Sequence, residues 1–280
     1  MKKEALIAIP VFNEAPSLPG LLESLQPFRD RLLFINDGSE DKSAEIIQDA
    51  GFQCVDFPSN LGLSAVYRAV FSYADRHQYE RFIMMDGDGQ HDPRYITSFE
   101  DLLTKHELVC GSRFSNTINV PSEKIAANLF AVLLVYRVTG KWIPDAACGF
   151  RGLFRGSAWP FLSGSFSFEV IYSTLIDALL KQKSVGFVSM TAIYPNQEFF
   201  FTRKTELWAL LRAAMRECTD PWIKDLKRQL ISNQVIEFDL DDFHFRVQSH
   251  NNDYIFQTNN TEARKFFHEI NHKVANEETK

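Results

Sequence analysis

The stretch ERFIMMDGDGQHDP (residues 80–93) decides how this chain is read. An apolar run is followed at once by three carboxylates, two glycines and a histidine within residues 84–93. A short continuous apolar run bounded by turn residues marks a strand buried on both faces. Negative charge gathered where such a strand ends either holds something positive or forms a solvated turn. Asp86 and Asp88, one residue apart, can both reach one hard divalent cation. Mg²⁺ and Mn²⁺ take oxygen ligands and leave room for phosphate oxygens. Gly87 and Gly89 let backbone and ligand approach closely. A calcium loop needs a downstream glutamate at a spacing that is absent here. His91 either assists such a site or finishes the turn.

Outward from this stretch the chain alternates strand and helix. ALIAIPVF (5–12), RLLFINDGS (31–39), FQCVDFP (52–58) and ELVCGSRF (107–114) read as further strands. APSLPGLLESLQPF (15–28), SEDKSAEIIQDAG (39–51), LSAVYRAVFSYADRH (63–77) and PRYITSFEDLLTKH (93–106) read as helices. Ser39 is expected to cap the second of these, and Gly51 to end it. Such alternation predicts an α/β fold, a mainly parallel sheet with helices on both faces. Ligands of such sheets bind beyond the carboxyl ends of the strands. The polar clusters FNE, NDGS, DGDGQHDP and GSRF all fall there, so four of them converge on one edge. Asp37, in NDGS, either accepts hydrogen bonds from a ribose or base, or serves its own turn.

Beyond residue 120 the pattern is more helical: SEKIAANLFAVLLVYRVTG (122–140), a short strand after DAACGFRGLFRG (145–156), a helix in SFEVIYSTLIDALLKQK (167–183) and a late strand in SVGFVSMTAIYP (184–195). The tail VIEFDLDDFHFRVQSHNNDYIFQTNN (235–260) alternates like a hairpin or small meander, with a helix after it. The expected division is a catalytic domain over 1–205, an amphipathic helical segment over 206–232 and an extension over 233–280.

The 280 residues are 45% hydrophobic and 24% charged, with net charge -6 and 25 phenylalanines. The negative balance argues against a general nucleic-acid binder. Four cysteines without CxxC spacing read as reduced thiols of a cytoplasmic chain. The opening MKKEALIAIPVF is expected to be a strand and not a leader, since proline breaks its short apolar run. IAANLFAVLLVY falls short of the roughly 20 residues that span a bilayer. GxGxxG and GxxxxGK[ST] are both missing, which removes support for dinucleotide and P-loop readings.

Taken together, IPVFNE, INDGSEDKS, NLGLSAVYRAV, DGDGQHDP, GSRF and DAACGFRGLFR resemble the inverting GT-A glycosyltransferases of family 2. Within that family the dolichol- or polyprenyl-phosphate sugar transferase branch is most similar. The resemblance runs over residues 5–200 in the same order. It implies a GT-A fold, a UDP- or GDP-sugar donor, a Mg²⁺ or Mn²⁺ ion and inversion at the anomeric carbon. It places Pro10, Phe12, Asn13, Glu14 and Gly62 around the nucleotide and makes Asp37 the acid that reads base or ribose. Asp86 and Asp88 match the metal-binding acid pair, with Gln90 beside them. Arg113 and Arg151 match basic positions near phosphate. The chain departs from the family at Ser64, where a glycine is usual, and at Ile171, where a second acid is usual. The basic motif that commonly closes the catalytic domain is here NQEFFFTRKTE (196–206), whose Arg203 and Lys204 take over its role.

The acceptor is then a polyprenyl phosphate, which needs no protein base, or a glycan hydroxyl, for which Glu169 is the candidate base. Glu169 otherwise caps its helix. Phe199, Phe200, Phe201 and Trp208 beside Arg203, Lys204, Arg212 and Arg216 suit an anionic membrane surface, or else pack on the protein itself or on a second copy. A catalytically silent, nucleotide-sugar-binding scaffold is the remaining alternative.

Overall fold

The computed structural model describes residues 4–114, 122–157, 168–191, 193, 210, 212–214, 237–241, 244–249 and 252–257. The aromatic and basic residues 199–208, Arg216, the helix expected after residue 260 and most of segment 206–232 lie outside these. The chain divides into two compact units, residues 1–118 with 147–197, and residues 119–146 with 198–280.

In the first unit the apolar runs become strands of one sheet: β1 (Leu6–Val11), β2 (Leu32–Asn36), β3 (Cys54–Asp56), β4 (Arg81–Met84), β5 (Leu108–Ser112), β6 (Arg151–Phe154) and β7 (Val185–Ser189). Their spatial order is β3-β2-β1-β4-β6-β5-β7. All neighbours run parallel except β6, which is antiparallel to both β4 and β5. The sheet is therefore mainly parallel, as the alternation predicts, with one reversed strand inside it, between β4 and β5.

Both faces of β1 are covered, which explains why its sequence is uniformly apolar and not alternating. Ile7, Ile9 and Val11 pack with Leu18, Leu21, Leu22 and Leu25 of α1 (Leu18–Leu25), Ile47 of α2 (Ser43–Asp49) and Phe99 of α4 (Ile96–Leu102). α3 (Leu63–Arg76) packs on β1 and β4, burying Val66, Tyr67, Val70 and Ala74, and α6 (Glu169–Leu180) packs against α3. Each fully buried leucine or phenylalanine contributes about 1.5–3 kcal/mol.

The expected helix over 15–28 stops being α-helical at Gln26, where a 3-10 stretch Gln26–Arg31 carries the chain to β2. The helix over 39–51 begins only at Ser43, and Ser39 does not cap it. The Ser39 hydroxyl instead accepts the Asn13 N–H, a tertiary bond that outbids local capping.

In the second unit, α5 (Ser122–Thr139) buries an unbroken run from Leu129 to Val135. The Asn128 side chain ties this helix to the loop after it, donating to Pro144 O at 3.3 Å and accepting from Ala146 N at 3.0 Å. β8 (Glu237–Asp241), β9 (His244–Ser249) and β10 (Asn252–Gln257) form an antiparallel meander. Among the described residues no helix is long and apolar enough to cross a membrane.

One glycine fixes the exit from β2. Gly38 has φ +70, and a Cβ there would lie 2.3 Å from the backbone carbon of Ser59. Gly38→Ala therefore meets both an unfavourable dihedral and an immovable backbone. It should lower stability by at least about 2 kcal/mol in urea unfolding; a loss under half that size would show that the Ser59 loop gives way.

Candidate active site

The loop leaving β1 is laced to the loop leaving β2. Asn13 takes a left-handed φ of 58, one of the few side chains that tolerate it. Three successive amides then find side-chain acceptors: Asn13 N to Ser39 Oγ at 2.9 Å, Glu14 N to Ser43 Oγ at 2.8 Å and Ala15 N to Asp41 Oδ2 at 3.0 Å. Asn13 Oδ1 returns a bond by accepting from Glu40 N at 2.8 Å. Burial alone would raise the Asp41 pKa, but the Ser43 hydroxyl and the amides of Ala15 and Ser43 hold it below its ordinary value. None of these anchors stands out in the sequence, because serine and aspartate in a turn look the same whether they cap a helix or clasp another loop. Just before this clasp in the chain, Phe12 is 42% exposed and Pro10 is half-buried.

Asp37 is buried at the carboxyl end of β2. Its two oxygens accept from Leu61 N at 2.7 Å and Gly62 N at 2.9 Å. Desolvation raises its pKa, and those two amides offset part of the rise. Asp37 thus holds the loop that leads into α3, with Gly62 at the N-cap in a positive φ of 81. Each carboxylate oxygen keeps a second lone pair. Ser64, at the family's usual glycine position, is buried in the first turn of α3. Leu61 stands 54% exposed beside Asp37.

The acidic loop follows β4. The Asp86 side chain keeps 38% of its surface open. Desolvation pushes its pKa up to about 6, against the pull of Arg113 and Arg151. Asp88 Oδ1 accepts from Gln90 N at 2.9 Å, and Gln90 O accepts from Ile193 N at 3.1 Å. Glu14 faces the same place from β1: burial raises its pKa first, then the charges of Asp88, Asp86 and Asp41, with the Ser17 hydroxyl opposing. Ser17 Oγ lies 3.1 Å from Glu14 Oε2 and 2.9 Å from Gly87 O, which joins the two loops. Gly87 is needed because a Cβ there would lie 2.8 Å from Pro10 O.

His91 finishes the turn. It is buried, and its Nδ1 accepts the Asp86 N–H at 3.4 Å. The same Nδ1 lies 3.6 Å from Asp86 Oδ2, and the ring's Nε2 lies 3.8 Å from Cys148 Sγ. Phe150 lies against the same ring at 5.3 Å and stacks on Phe99 at 4.2 Å. Gly149, which the sequence alone did not single out, runs directly beneath the Asp86 carboxylate.

Two arginines act on Asp86 from different positions. Arg113 is half-buried after β5, with its guanidinium 5.3 Å from the Phe114 ring centre. Arg151 is completely buried, donating from Nε to Cys148 O at 2.9 Å and from Nη1 to Ile171 O. It clamps β6 to the first turn of α6 and reaches the acids through its field. Glu169 is the first residue of α6 and is 2% exposed, where the helix N-terminus favours a carboxylate. The structure therefore brings Glu14, Asp86, Asp88, Gln90 and Arg113 to one place. Phe12, Asn13, Asp37 and Gly62 line the adjoining strand ends, and Arg151 and Glu169 lie below the surface.

Among the described residues no group of three His, Cys, Asp or Glu side chains is placed to hold a metal ion. The oxygen donors on offer are the Asp86 and Asp88 carboxylates of one loop. Such a set suits Mg²⁺ or Mn²⁺ held by one or two carboxylates with the remaining oxygens supplied by phosphates.

The description "Glycosyl transferase family 2" matches residues 6–161. Over 165 residues the chain is 28% identical to undecaprenyl-phosphate 4-deoxy-4-formamido-L-arabinose transferase of Photorhabdus laumondii, covering 55% of this chain and 50% of that one. Over 166 residues it is 27% identical to polyprenol monophosphomannose synthase of Mycolicibacterium smegmatis, covering 55% of this chain and 62% of that one. The chain thus spans about half to under two thirds of the length of these curated relatives. In fold it is similar to glucosyl-3-phosphoglycerate synthase of Mycobacterium tuberculosis, solved with uridine diphosphate, at TM-score 0.61 and 14% identity over 84% of each chain. The same enzyme solved with Mn²⁺, uridine diphosphate and phosphoglyceric acid also superposes at TM-score 0.61, over 88% of this chain and 86% of that one. At such identity the likeness speaks for the fold, which is the GT-A architecture implied by the motifs. The family match covers more than half of the chain and includes β1 through the acidic loop and β6, so this protein belongs to glycosyl transferase family 2.

Proposed function

We propose that the chain is a metal-dependent inverting glycosyltransferase that moves a sugar from a nucleotide-sugar donor to a polyprenyl phosphate. The observation that carries this reading is the meeting of Asp86, Asp88 and Glu14 at the carboxyl edge of the sheet, with Arg113 acting on Asp86. Like charges held this close repel, and a divalent cation with its diphosphate offsets that repulsion. Asp86 and Asp88 would hold the ion, which when bound supplies Lewis-acid stabilisation of a departing nucleoside diphosphate.

The protein's own residues do the rest. Phe12 offers an exposed ring at the end of β1, suited to stacking on a base. Asn13 and Glu14 fix the shape of that edge, and Asp37 with Gly62 forms its second wall. Arg113 adds positive charge where the leaving diphosphate gathers negative charge. The acceptor must approach C1 from the opposite side. A phosphate acceptor is already anionic, its second pKa being roughly 6, and needs no base. The burial of Glu169 supports such an acceptor, since the carboxylate named for the base role is withdrawn from solvent. Two relatives named for undecaprenyl-phosphate or polyprenol substrates support it too. Peripheral docking on a membrane face, through the aromatic and basic residues 199–216, would bring the lipid phosphate within reach.

The deciding assay measures metal-dependent release of nucleoside diphosphate from UDP-, GDP- and dTDP-sugars, with a polyprenyl phosphate or a saccharide as acceptor. Lipid-linked sugar formed with inversion is the expected product; transfer only to the saccharide would assign the acceptor to the glycan class. Asp88→Ala should lower metal-dependent turnover by about two orders of magnitude or more while leaving the fold intact; wild-type rates would reduce the acidic loop to a mere turn.

The raised Asp86 pKa also predicts a pH effect in metal-free protein. The folded state binds this proton up to about 6, against 3.8 for an ordinary aspartate. Folding therefore takes up a proton between these values, and the associated stability is present at low pH and lost as pH rises toward 6. Across that window the melting temperature of the wild type should fall relative to Asp86→Asn. Parallel curves in a scanning-calorimetry series would refute it.

A further inference from the structure

We propose that Gly149 is a positioning residue, its missing side chain forming the seat of the Asp86 carboxylate. The inference rests on the reading of Asp86 and Asp88 as a cation-holding pair and adds to it a part of the chain far away in sequence.

A Cβ built on Gly149 would lie 2.2 Å from Asp86 Oδ2, 2.7 Å from Oδ1 and 2.8 Å from Cγ. The three atoms nearest to that point all belong to the one carboxyl group. Gly149 is not among the glycines with positive φ, so its backbone suits alanine. The need for glycine here is purely spatial, unlike that at Gly38, where dihedral and backbone both object. The residues around it fix the neighbouring atoms. Cys148 Sγ faces His91, whose Nδ1 takes the Asp86 N–H. Arg151 draws the Asp86 charge toward the same floor. Gly149 completes this arrangement by letting the main chain pass under the carboxylate itself.

A methyl group at 149 would meet the end of a short, rotatable side chain, so the accommodating move is a turn of Asp86 and not a shift of strands. The fold then stands and the carboxylate leaves its seat. Outer residues that orient a metal-binding carboxylate typically change metal affinity by about 10- to 100-fold when altered.

The test compares the wild type with Asp86→Ala, Gly149→Ala and the double variant. Mn²⁺ binding is read by electron paramagnetic resonance of free Mn²⁺, with uridine or guanosine diphosphate present, and melting temperature is read beside it. Gly149→Ala should weaken Mn²⁺ binding by about tenfold or more. The double variant should bind no worse than Asp86→Ala alone, because both changes remove the same contribution. Any melting-temperature loss in Gly149→Ala should be regained in the double variant, where the methyl has room. Wild-type Mn²⁺ binding by Gly149→Ala, with Asp86→Ala impaired, overturns the proposal. So does a melting-temperature loss that persists in the double variant. If Gly149→Ala fails to fold, a folded double variant supports the seat and an unfolded one overturns it. If Asp86→Ala binds Mn²⁺ as the wild type does, the cation reading of the acid pair falls, and the melting-temperature rescue still judges the steric claim.

Discussion

The Glu14 carboxyl is held within range of the charges of Asp86 and Asp88 at the carboxyl edge of the sheet. Left to themselves they would separate into water. That they do not is the constraint on which the rest of this edge depends. β1 and β4 are adjacent and parallel, so their ends deliver Glu14 and the acidic loop to the same place. Ser17 ties the two loops, Gly87 lets them touch, and the clasp of Ser39, Asp41 and Ser43 keeps the Glu14 backbone from drifting. The edge is thus built so that the protein alone is slightly unfavourable there, with burial and neighbouring charge both raising the Glu14 pKa.

The positive groups are arranged in two layers. Arg113 is open to the site, while Arg151 is sunk in the core with its N–H groups on the carbonyls of Cys148 and Ile171. A fully buried guanidinium is tolerated only when its donors are satisfied and a negative charge lies close. Asp86 supplies that charge. The buried base therefore favours the charged acid, and a separate bond from Arg151 Nη1 to Ile171 O fastens the first turn of α6 to the same guanidinium.

How much of this was legible beforehand depends on the range of the interaction. Apolar runs marked β1, β2, β4 and β5, because burial on both faces leaves a local trace. The acid pair was visible because its two members are nearly adjacent and follow a strand at once. Asp37 was visible too, as an acid at a strand end, although its bonds to Leu61 and Gly62 were not. Ser39 misled, since a serine before a helix looks like a cap and here bonds another loop. Gly149 could have drawn notice within ACGFRG, but a glycine kept for space and one kept for conformation look identical in a sequence.

By itself the sequence determined the order of strands and helices, the edge at which polar residues collect and the family to which the chain belongs. The first two follow from periodicity and turn chemistry carried by neighbouring residues, and the third from the resemblance of its motifs to a known family. Only the tertiary structure decided that β6 runs backwards between β4 and β5, that Arg151 is buried and that Gly149 lies beneath Asp86. Those facts arise from which strands lie side by side. Strand adjacency is chosen by packing of the whole sheet against its helices, and no local pattern records it.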